Sequence, residues 1–563
     1  MFPLNFKKKK KWAEEVETYE IFLDAQNLPK FNAQQMEGRI EKPIAKSSLI
    51  LLSVFFLLIG LVFVGRVGLL QIAKGKAYSS LSERNTLDQE LIFAERGLVY
   101  DRNNVPLIWN EENTSGDFAR RAYIKSPGFG HILGFVGYPA KDQSGYYWQE
   151  EFVGKDGIEK EFNDQLKGEN GLKIFEVNVK GEVQSENVIE PPMYGDSLNL
   201  SIDSKVQTKL YEYLREFSSN YSFEGGSGVI MDVANGELLA LVNYPEYDSE
   251  IMSSKLDQEA IKGYLADKRK PFLNRAVSGL YTPGSIVKPF VAIAALNEKI
   301  IDPLKKILSI GYIEIPNPYF PEKKSVFKDW KAHGWIDMRQ ALAQSSDVYF
   351  YEVGGGFDEQ RGLGIGNINK YSKLFGLDEE TGIDLPAENF GTIPTPEWKQ
   401  IHFPDDPWRI GDTYNTAIGQ YGFQVTLLEM TRAAASIANS GLIFSPHLLV
   451  NESYAPTPTR KLDIPEEYFQ IVREGMRQAV TEGTASRLNL PFVKVAAKTG
   501  TAQLGLAKDR VNSWVIGLFP YDNPRYAFTV MMENGPVTNT VSTSLVMNQL
   551  LTWMNGNTPE YLK

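Results

Sequence analysis

The chain has 563 residues, 43% of them hydrophobic and 23% charged, with a net charge of -11; that length allows two or three folded units with sizeable cores, and the acidic balance argues against a nucleic-acid partner. Cysteine is absent and only four histidines occur, His131, His333, His402 and His447, none in an H-x-x-x-H pair. Disulfides, thiol nucleophiles and thiolate metal sites are thereby excluded, a histidine zinc site or a Ser-His-Asp triad is poorly supported, and lysine is the economical base for any oxygen nucleophile.

In chain order, the first marked feature is Leu49 to Val64, "LILLSVFFLLIGLVFV", apolar on every face and, with its small flanking residues, close to the roughly 20 residues a bilayer crossing needs. More than forty residues precede it and no A-x-A follows, so the pattern is that of a permanent signal anchor over 47–68. Lysines at Lys7 to Lys11, Lys42 and Lys46 put residues 1–46 in the cytoplasm by the positive-inside rule and the rest of the chain outside. Residues 69–195 hold short strand-like runs such as "GLVYD" and "IFEVNV" with turn-rich joins and no detectable repeat. "IEPPMYGDS", Ile189 to Ser197, is a Pro/Gly linker, and a new domain is expected over 196–556.

That domain opens on an amphipathic helix, with Val206, Leu210, Leu214 and Phe217 on one face behind an Asp203 or Ser204 cap. Two β-rich runs follow around Asn235-Gly236, a hairpin signal. Far downstream, "VKVAAKTGTAQ", "SWVIGLFP" and "YAFTVMMENG" are strands whose short joins favour antiparallel pairing. A last helix, "VSTSLVMNQLLTWM", leaves a short C-terminal tail, 557–563. Between the sheet-forming ends, residues from about 257 to 478 are helix- and loop-rich, so the expected class is α+β with chemistry at the seam between sheet and helical insert.

Three short segments at that seam carry candidate chemistry. "YTPGSIVKPF" places Ser285 and Lys288 three residues apart behind a Pro-Gly turn, a nucleophile beside a base if a helix starts there. The spacing is weak by itself: a serine often caps a helix, and Ser325 and Lys328 in "SVFK" repeat it without the Pro-Gly lead. "ALAQSSDVYFY" adds Ser345 and Asp347, and "AAKTGTAQ" adds Lys498, Thr499, Gly500 and Thr501 on a strand, where glycine lets a ligand approach the backbone.

The ordered set S-x-x-K, S-x-D, K-T-G resembles the penicillin-binding protein and serine β-lactamase superfamily. "ERGLVYDRNNVPL", "VGKDGIEKEFNDQLKGENG", "VIMDVANGELLALVNYP" and "GDTYNTAIGQYGFQVT" extend the likeness to class B penicillin-binding proteins over nearly the whole chain. "DWKAHGWIDMRQALAQSSDVYFY" is most similar to the elongation type, the penicillin-binding protein 2 group, with the division type as runner-up. Asp347 stands where asparagine is more general, Asn104 where D-R-N-G has its glycine, and Tyr421 where glycine is common.

The resemblance implies a serine β-lactamase/transpeptidase-like domain, an antiparallel sheet flanked by helices with a helical subdomain, on an elongated, mostly β pedestal. It implies a D,D-transpeptidase that cross-links peptidoglycan stem peptides through a serine acyl-enzyme during wall elongation and is acylated by β-lactam antibiotics. Ser285 would attack and Lys288 would be the base, the Lys498 charge lowering its pKa and an ionised Asp347 pushing the other way, a balance the sequence leaves open; Ser345 would shuttle protons. Lys498, Thr499 and Thr501 would hold the terminal carboxylate, Gly500 would admit it, and the N–H groups of Ser285 and Thr501 would form the oxyanion hole. A polymerase would come from a SEDS-type membrane glycosyltransferase and other elongation-complex proteins. Asp329 and His333 fall where some elongation-type relatives hold a metal through acidic, histidine and cysteine ligands; without cysteine, no structural zinc and no cofactor is expected. A β-lactamase would need a second base for deacylation, and a β-lactam sensor several spans and an internal effector domain.

Overall fold

The computed structural model describes residues 46–76, 87–114, 116–177, 183–317, 320, 322–450, 456–505 and 507–563. The lysines at Lys7 to Lys11 and Lys42, on which the expected orientation rests, lie outside them. Two compact units result, residues 1–88 with 176–184, and residues 89–175 with 185–563.

In the first unit, helix α1 (Lys46–Gly68) continues into a π-helical turn, Leu69–Ala73. At 1.5 Å per residue the 23 residues of α1 rise about 34 Å, and the stretch Leu49–Ile72 is long and apolar enough to cross a membrane. Its leucines, valines and phenylalanines are exposed around the whole circumference, the surface of a helix that lipid rather than protein covers.

The second unit begins with a small sheet of β1 (Val99–Tyr100), β2 (Pro106–Glu111) and β3 (Arg120–Tyr123). Behind it, α2 (Gly157–Glu161) buries Glu159 between two arginines, with Arg96 Nε 2.5 Å and Arg121 Nε 2.8 Å from its carboxylate oxygens. Burial pushes the Glu159 carboxyl up, but the two guanidiniums outweigh it and hold it below the ordinary value. Glu159→Ala would strand two buried cations and is expected to cost about 3–5 kcal/mol, read by denaturant unfolding near neutral pH. Because the native carboxyl titrates below the unfolded one, the wild type's advantage is full above the unfolded value, about 4.3, and is lost as pH falls through the native value.

Strand β4 (Leu198–Asn199) follows the Pro/Gly linker and pairs in parallel with β1, so the first residues beyond that linker still belong to the small sheet. The D-R-N-N turn ties it to what comes next. Asp101 accepts from Asn103 N, Val105 N and Ser204 N at 2.8, 2.8 and 3.1 Å, and Asn104 takes the left-handed conformation at φ 60°, which asparagine tolerates better than most residues. Helix α3 (Ser204–Tyr221) is capped by Asp203, as its sequence predicts, through Lys205 N and Val206 N.

The main sheet comprises β5 (Gly225–Asp232) and β6 (Leu238–Tyr244), then, after the insert, β11 (Ala496–Leu504), β12 (Arg510–Phe519) and β13 (Tyr526–Pro536). The order is β6-β5-β13-β12-β11, antiparallel at every junction. The predicted hairpin turns at Gly236, φ 94°. Both faces are covered over most of the sheet, so β5 and β6 are buried throughout rather than alternating, while the end strand β11 exposes Thr501 and Gln503: Ile230, Val242, Val515 and Phe528 pack with α3 and α9 (Ser544–Asn557), while Met231, Leu241, Ile516 and Met531 pack with α7 (Leu427–Ala438). The expected C-terminal tail instead forms a 3-10 turn, Pro559–Leu562, burying Tyr561 and Leu562; Tyr561 OH donates to Asp203 at 2.8 Å.

The insert carries α4 (Lys288–Asn297), α5 (Met338–Gln344), α6 (Asp347–Gly355) and α8 (Glu466–Thr481). The helix- and loop-rich expectation left out its short β-ribbons, among them β7 (Ile307–Ser309) with β10 (Gly334–Ile336) and β8 (Tyr312–Pro316) with β9 (Lys324–Lys328). Each of these two ribbons has only two short strands, a signal of three to five residues with no longer period to read.

Candidate active site

Ser285 stands in a 3-10 turn, Gly284–Val287, and Lys288 starts α4 directly after it, its backbone N–H donating to Ser285 O. With three residues per turn, residues i and i+3 eclipse, so both side chains share one face. The turn is pressed against the edge strand β11. Gly284 is left-handed, φ 59°, and a Cβ there would meet Thr501 O at 2.9 Å; a Cβ on Gly500 would meet Ile286 Cγ2 at 2.8 Å. Only glycine at both positions allows the turn that carries Ser285 and the K-T-G strand to approach this closely.

The second motif lies between α5 and α6. Ser345 ends α5 in the left-handed conformation, φ 58°, a strain of about 1–2 kcal/mol for a residue with a Cβ, and Asp347 opens α6. That sharp turn aims both side chains at the lysines. Lys288 Nζ donates to Asp347 Oδ1 at 2.6 Å and to Ser345 O at 2.9 Å, and lies 3.5 Å from Ser345 Oγ. Lys498 Nζ donates to Thr499 O and lies 2.7 Å from Ser345 Oγ. Both lysines are wholly buried, and the Ser345 hydroxyl bridges them. Among the described residues Ser285 Oγ makes no hydrogen bond.

Lys288 has a carboxylate partner at 2.6 Å, whereas burial first, and the Lys288 charge second, push the Lys498 ammonium well below the ordinary lysine value, against a weaker pull from Asp347.

A cleft of about 1230 Å³ opens over these groups, lined by Ser285, Ser345, Asp347, Thr499, Gly500 and Thr501. The other S-x-x-K, Ser325 and Lys328, falls on strand β9, where residues three apart point to opposite faces. Among the lining residues outside the three motifs are Thr484 and Tyr421. Thr484, in the turn after α8, accepts from Thr499 Oγ1 at 2.7 Å and sets that hydroxyl's direction. Tyr421 is left-handed, φ 62°, and is held there by edge contacts with Trp398 and Trp408 and by Lys399 over its ring, which offset the strain that makes glycine common at this position. Asp329 and His333 meet each other, His333 Nε2 standing 3.4 Å from Asp329 Oδ1. The other carboxylate oxygen is occupied by protein donors, and no group of three or more acidic or histidine side chains able to hold a metal occurs among the described residues.

Residues 226–551 match the penicillin binding protein transpeptidase domain, and residues 115–200 the penicillin-binding protein dimerisation domain. The chain is 30% identical over 527 residues to the peptidoglycan D,D-transpeptidase MrdA of Haemophilus influenzae, covering 87% of this chain and 76% of that one. It is similar to penicillin-binding protein 2 of Helicobacter pylori, solved in complex with MreC, at a TM-score of 0.68 and 26% identity over 84% of this chain and 99% of the other. A chain from a structure titled for polymerization and crosslinking by a peptidoglycan synthase complex matches at a TM-score of 0.70 and 26% identity, covering 91% and 98%.

Proposed function

From membership of the penicillin-binding protein transpeptidase family, to which this chain belongs, we propose that Ser285 is the residue acylated in peptidoglycan cross-linking and that Lys288, Ser345, Asp347 and Lys498 move its proton. The chain is a serine-type peptidoglycan D,D-transpeptidase of the elongation, penicillin-binding protein 2, type. The observation that supports this assignment of residues most directly is the convergence of two buried lysines, from segments far apart in sequence, on one serine hydroxyl that lines the same cleft as Ser285.

With Lys498 neutral, the proton movements balance. As Ser285 Oγ attacks the penultimate D-alanine carbonyl, Lys288 takes its proton while passing one of its own through Ser345 to Lys498. The tetrahedral oxyanion faces the N–H groups of Ser285 and Thr501, donors that contribute about 3–4 kcal/mol in such reactions. The proton returns through Ser345 to the departing D-alanine nitrogen. An amine of a neighbouring stem peptide then repeats the sequence in reverse and leaves a cross-link. Thr499 and Thr501, with Lys498 beneath, receive the terminal carboxylate, and a β-lactam presents the same groups without a leaving amine that vacates the site.

Residues 1–46 are read as cytoplasmic, α1 as the single-pass anchor, 69–195 as a pedestal and 196–556 as the catalytic domain on the outer side. We infer a SEDS-type glycosyltransferase and elongation-complex proteins as partners; the Helicobacter pylori relative was solved in complex with MreC. Depleting the protein in rod-shaped cells that carry it should produce rounding, scored by microscopy, and wild type but not Ser285→Ala should restore rods. Filaments on depletion would instead place it in septal synthesis.

A further inference from the structure

Asp329 lies outside all three motifs, yet its side chain is completely shut off from solvent and points at the turn that carries Ser345 and Asp347. Its Oδ2 accepts from Ser346 Oγ at 2.7 Å, from Val348 N at 3.0 Å and from Ser309 Oγ at 3.4 Å. Its Oδ1 accepts from Trp330 N at 2.8 Å and lies 3.4 Å from His333 Nε2. Burial alone would push this carboxyl up; the donors from Val348, Ser346 and Asp347, with the nearby Lys288 charge, bring it below its ordinary value.

The pattern is specific. Ser346 and Val348 alternate with Ser345 and Asp347, so one carboxylate oxygen grips the residues next to both site residues. Val348 N belongs to the first turn of α6, whose free N–H groups attract a carboxylate, and Ser346 in turn caps that helix by accepting from Tyr349 N. The strained Ser345 therefore sits between α5 and a helix start pinned from outside. Asp329 is itself fixed, its backbone N–H donating to Gly311 O at 2.8 Å, at the close of the β8–β9 ribbon.

We propose that Asp329 is a positioning residue of the acylation step: its carboxylate, acting through direct hydrogen bonds to Ser346 and Val348, holds Ser345 and Asp347 at the two lysines and needs no metal to do so. A displaced turn moves Ser345 Oγ away from Lys498 and breaks the proton path while leaving Thr499 and Thr501 where they are. The inference rests on the proposed transpeptidase site.

The test is the kinetics of acylation by a fluorescent penicillin with the full-length protein in detergent, separating the rate constant k2 from the binding constant Ks. The final extent of labelling counts folded molecules, so a purely structural role would lower the extent and leave k2 of the remaining sites alone. Asp329→Ala is expected to lower k2 by about 100-fold with Ks within threefold. Asp329→Asn, whose amide oxygen still accepts from Ser346 and Val348, is expected to recover at least tenfold of that loss. If Asp329→Ala yields no labelled protein, Ser346→Ala, which removes the 2.7 Å bond together with the cap on Tyr349 N, is expected to lower k2 about tenfold. An unchanged k2 in whichever alanine variant is measurable overturns the proposal, as does wild-type acylation that is abolished by a chelator and restored by zinc. A wild type that is never labelled would instead remove the site assignment beneath it.

Discussion

Replacing Ser285 with alanine is expected to abolish covalent labelling by a fluorescent penicillin, a loss of at least about 10⁴-fold against wild type, while circular dichroism and the melting temperature stay close to wild type. The reason is positional. Ser285 Oγ makes no hydrogen bond among the described residues, so its removal leaves no buried partner unsatisfied, and the turn that carries it is held by Gly284 against Thr501 and by Lys288 N–H on Ser285 O, a backbone bond. No second serine substitutes: Ser345 is engaged by both lysines, and Ser325 stands on a ribbon strand with its would-be base on the opposite face. Labelling that survives Ser285→Ala would overthrow the assignment of the nucleophile.

The second large effect separates stability from activity. Lys498→Met should lower acylation by about 10²–10⁴-fold and yet raise the melting temperature near neutral pH. In the native state burial and the Lys288 charge depress the Lys498 ammonium. Above pH of about 10.4, the ordinary lysine value, folded and unfolded chains both carry the neutral amine. As pH falls below that, the unfolded chain takes up a proton that the native chain refuses, so stability declines with falling pH until the native value is reached and is level below it. Methionine fills a similar volume without a charge, removing this slope. Thermal melts of both proteins from pH 7 to 10.5 would reveal it, the curves converging at the alkaline end. A variant less stable than wild type at pH 7 would mean that the bond to Thr499 O outweighs the cost of burying the amine.

Much of this site was legible in the chain because each motif residue has a local signature: Pro-Gly before Ser285, an aromatic helix after Asp347, glycine between Thr499 and Thr501. The strands and helices of the main sheet were legible for the same reason, long apolar runs bounded by turn residues, with Asp203 an expected cap. What escaped depends on partners distant in sequence. Thr484 is one threonine after a helix, distinguished only by the hydroxyl of Thr499 above it. Asp329 reads as a turn carboxylate until the two residues flanking Ser345 and Asp347 are found hydrogen-bonded to it. The division of charge between the lysines could not be read either, since Asp347 reaches Lys288 and leaves Lys498 without a carboxylate of its own.

The position of β11 at the end of the five-stranded order has a consequence for what the cleft can tolerate. A border strand offers main-chain donors and acceptors to any extended chain laid alongside it, and such a rail is indifferent to most side chains. On the proposed site, stems that differ between organisms in their middle residues can be seated in the same register, and selectivity would fall on the short stretch at Thr499 to Thr501, the proposed seat of the terminal group. Resistance substitutions that spare growth are accordingly expected around the rim of the cleft, not on the rail, because a change that spoils the rail would cost the cell its own wall polymer as much as the drug its target.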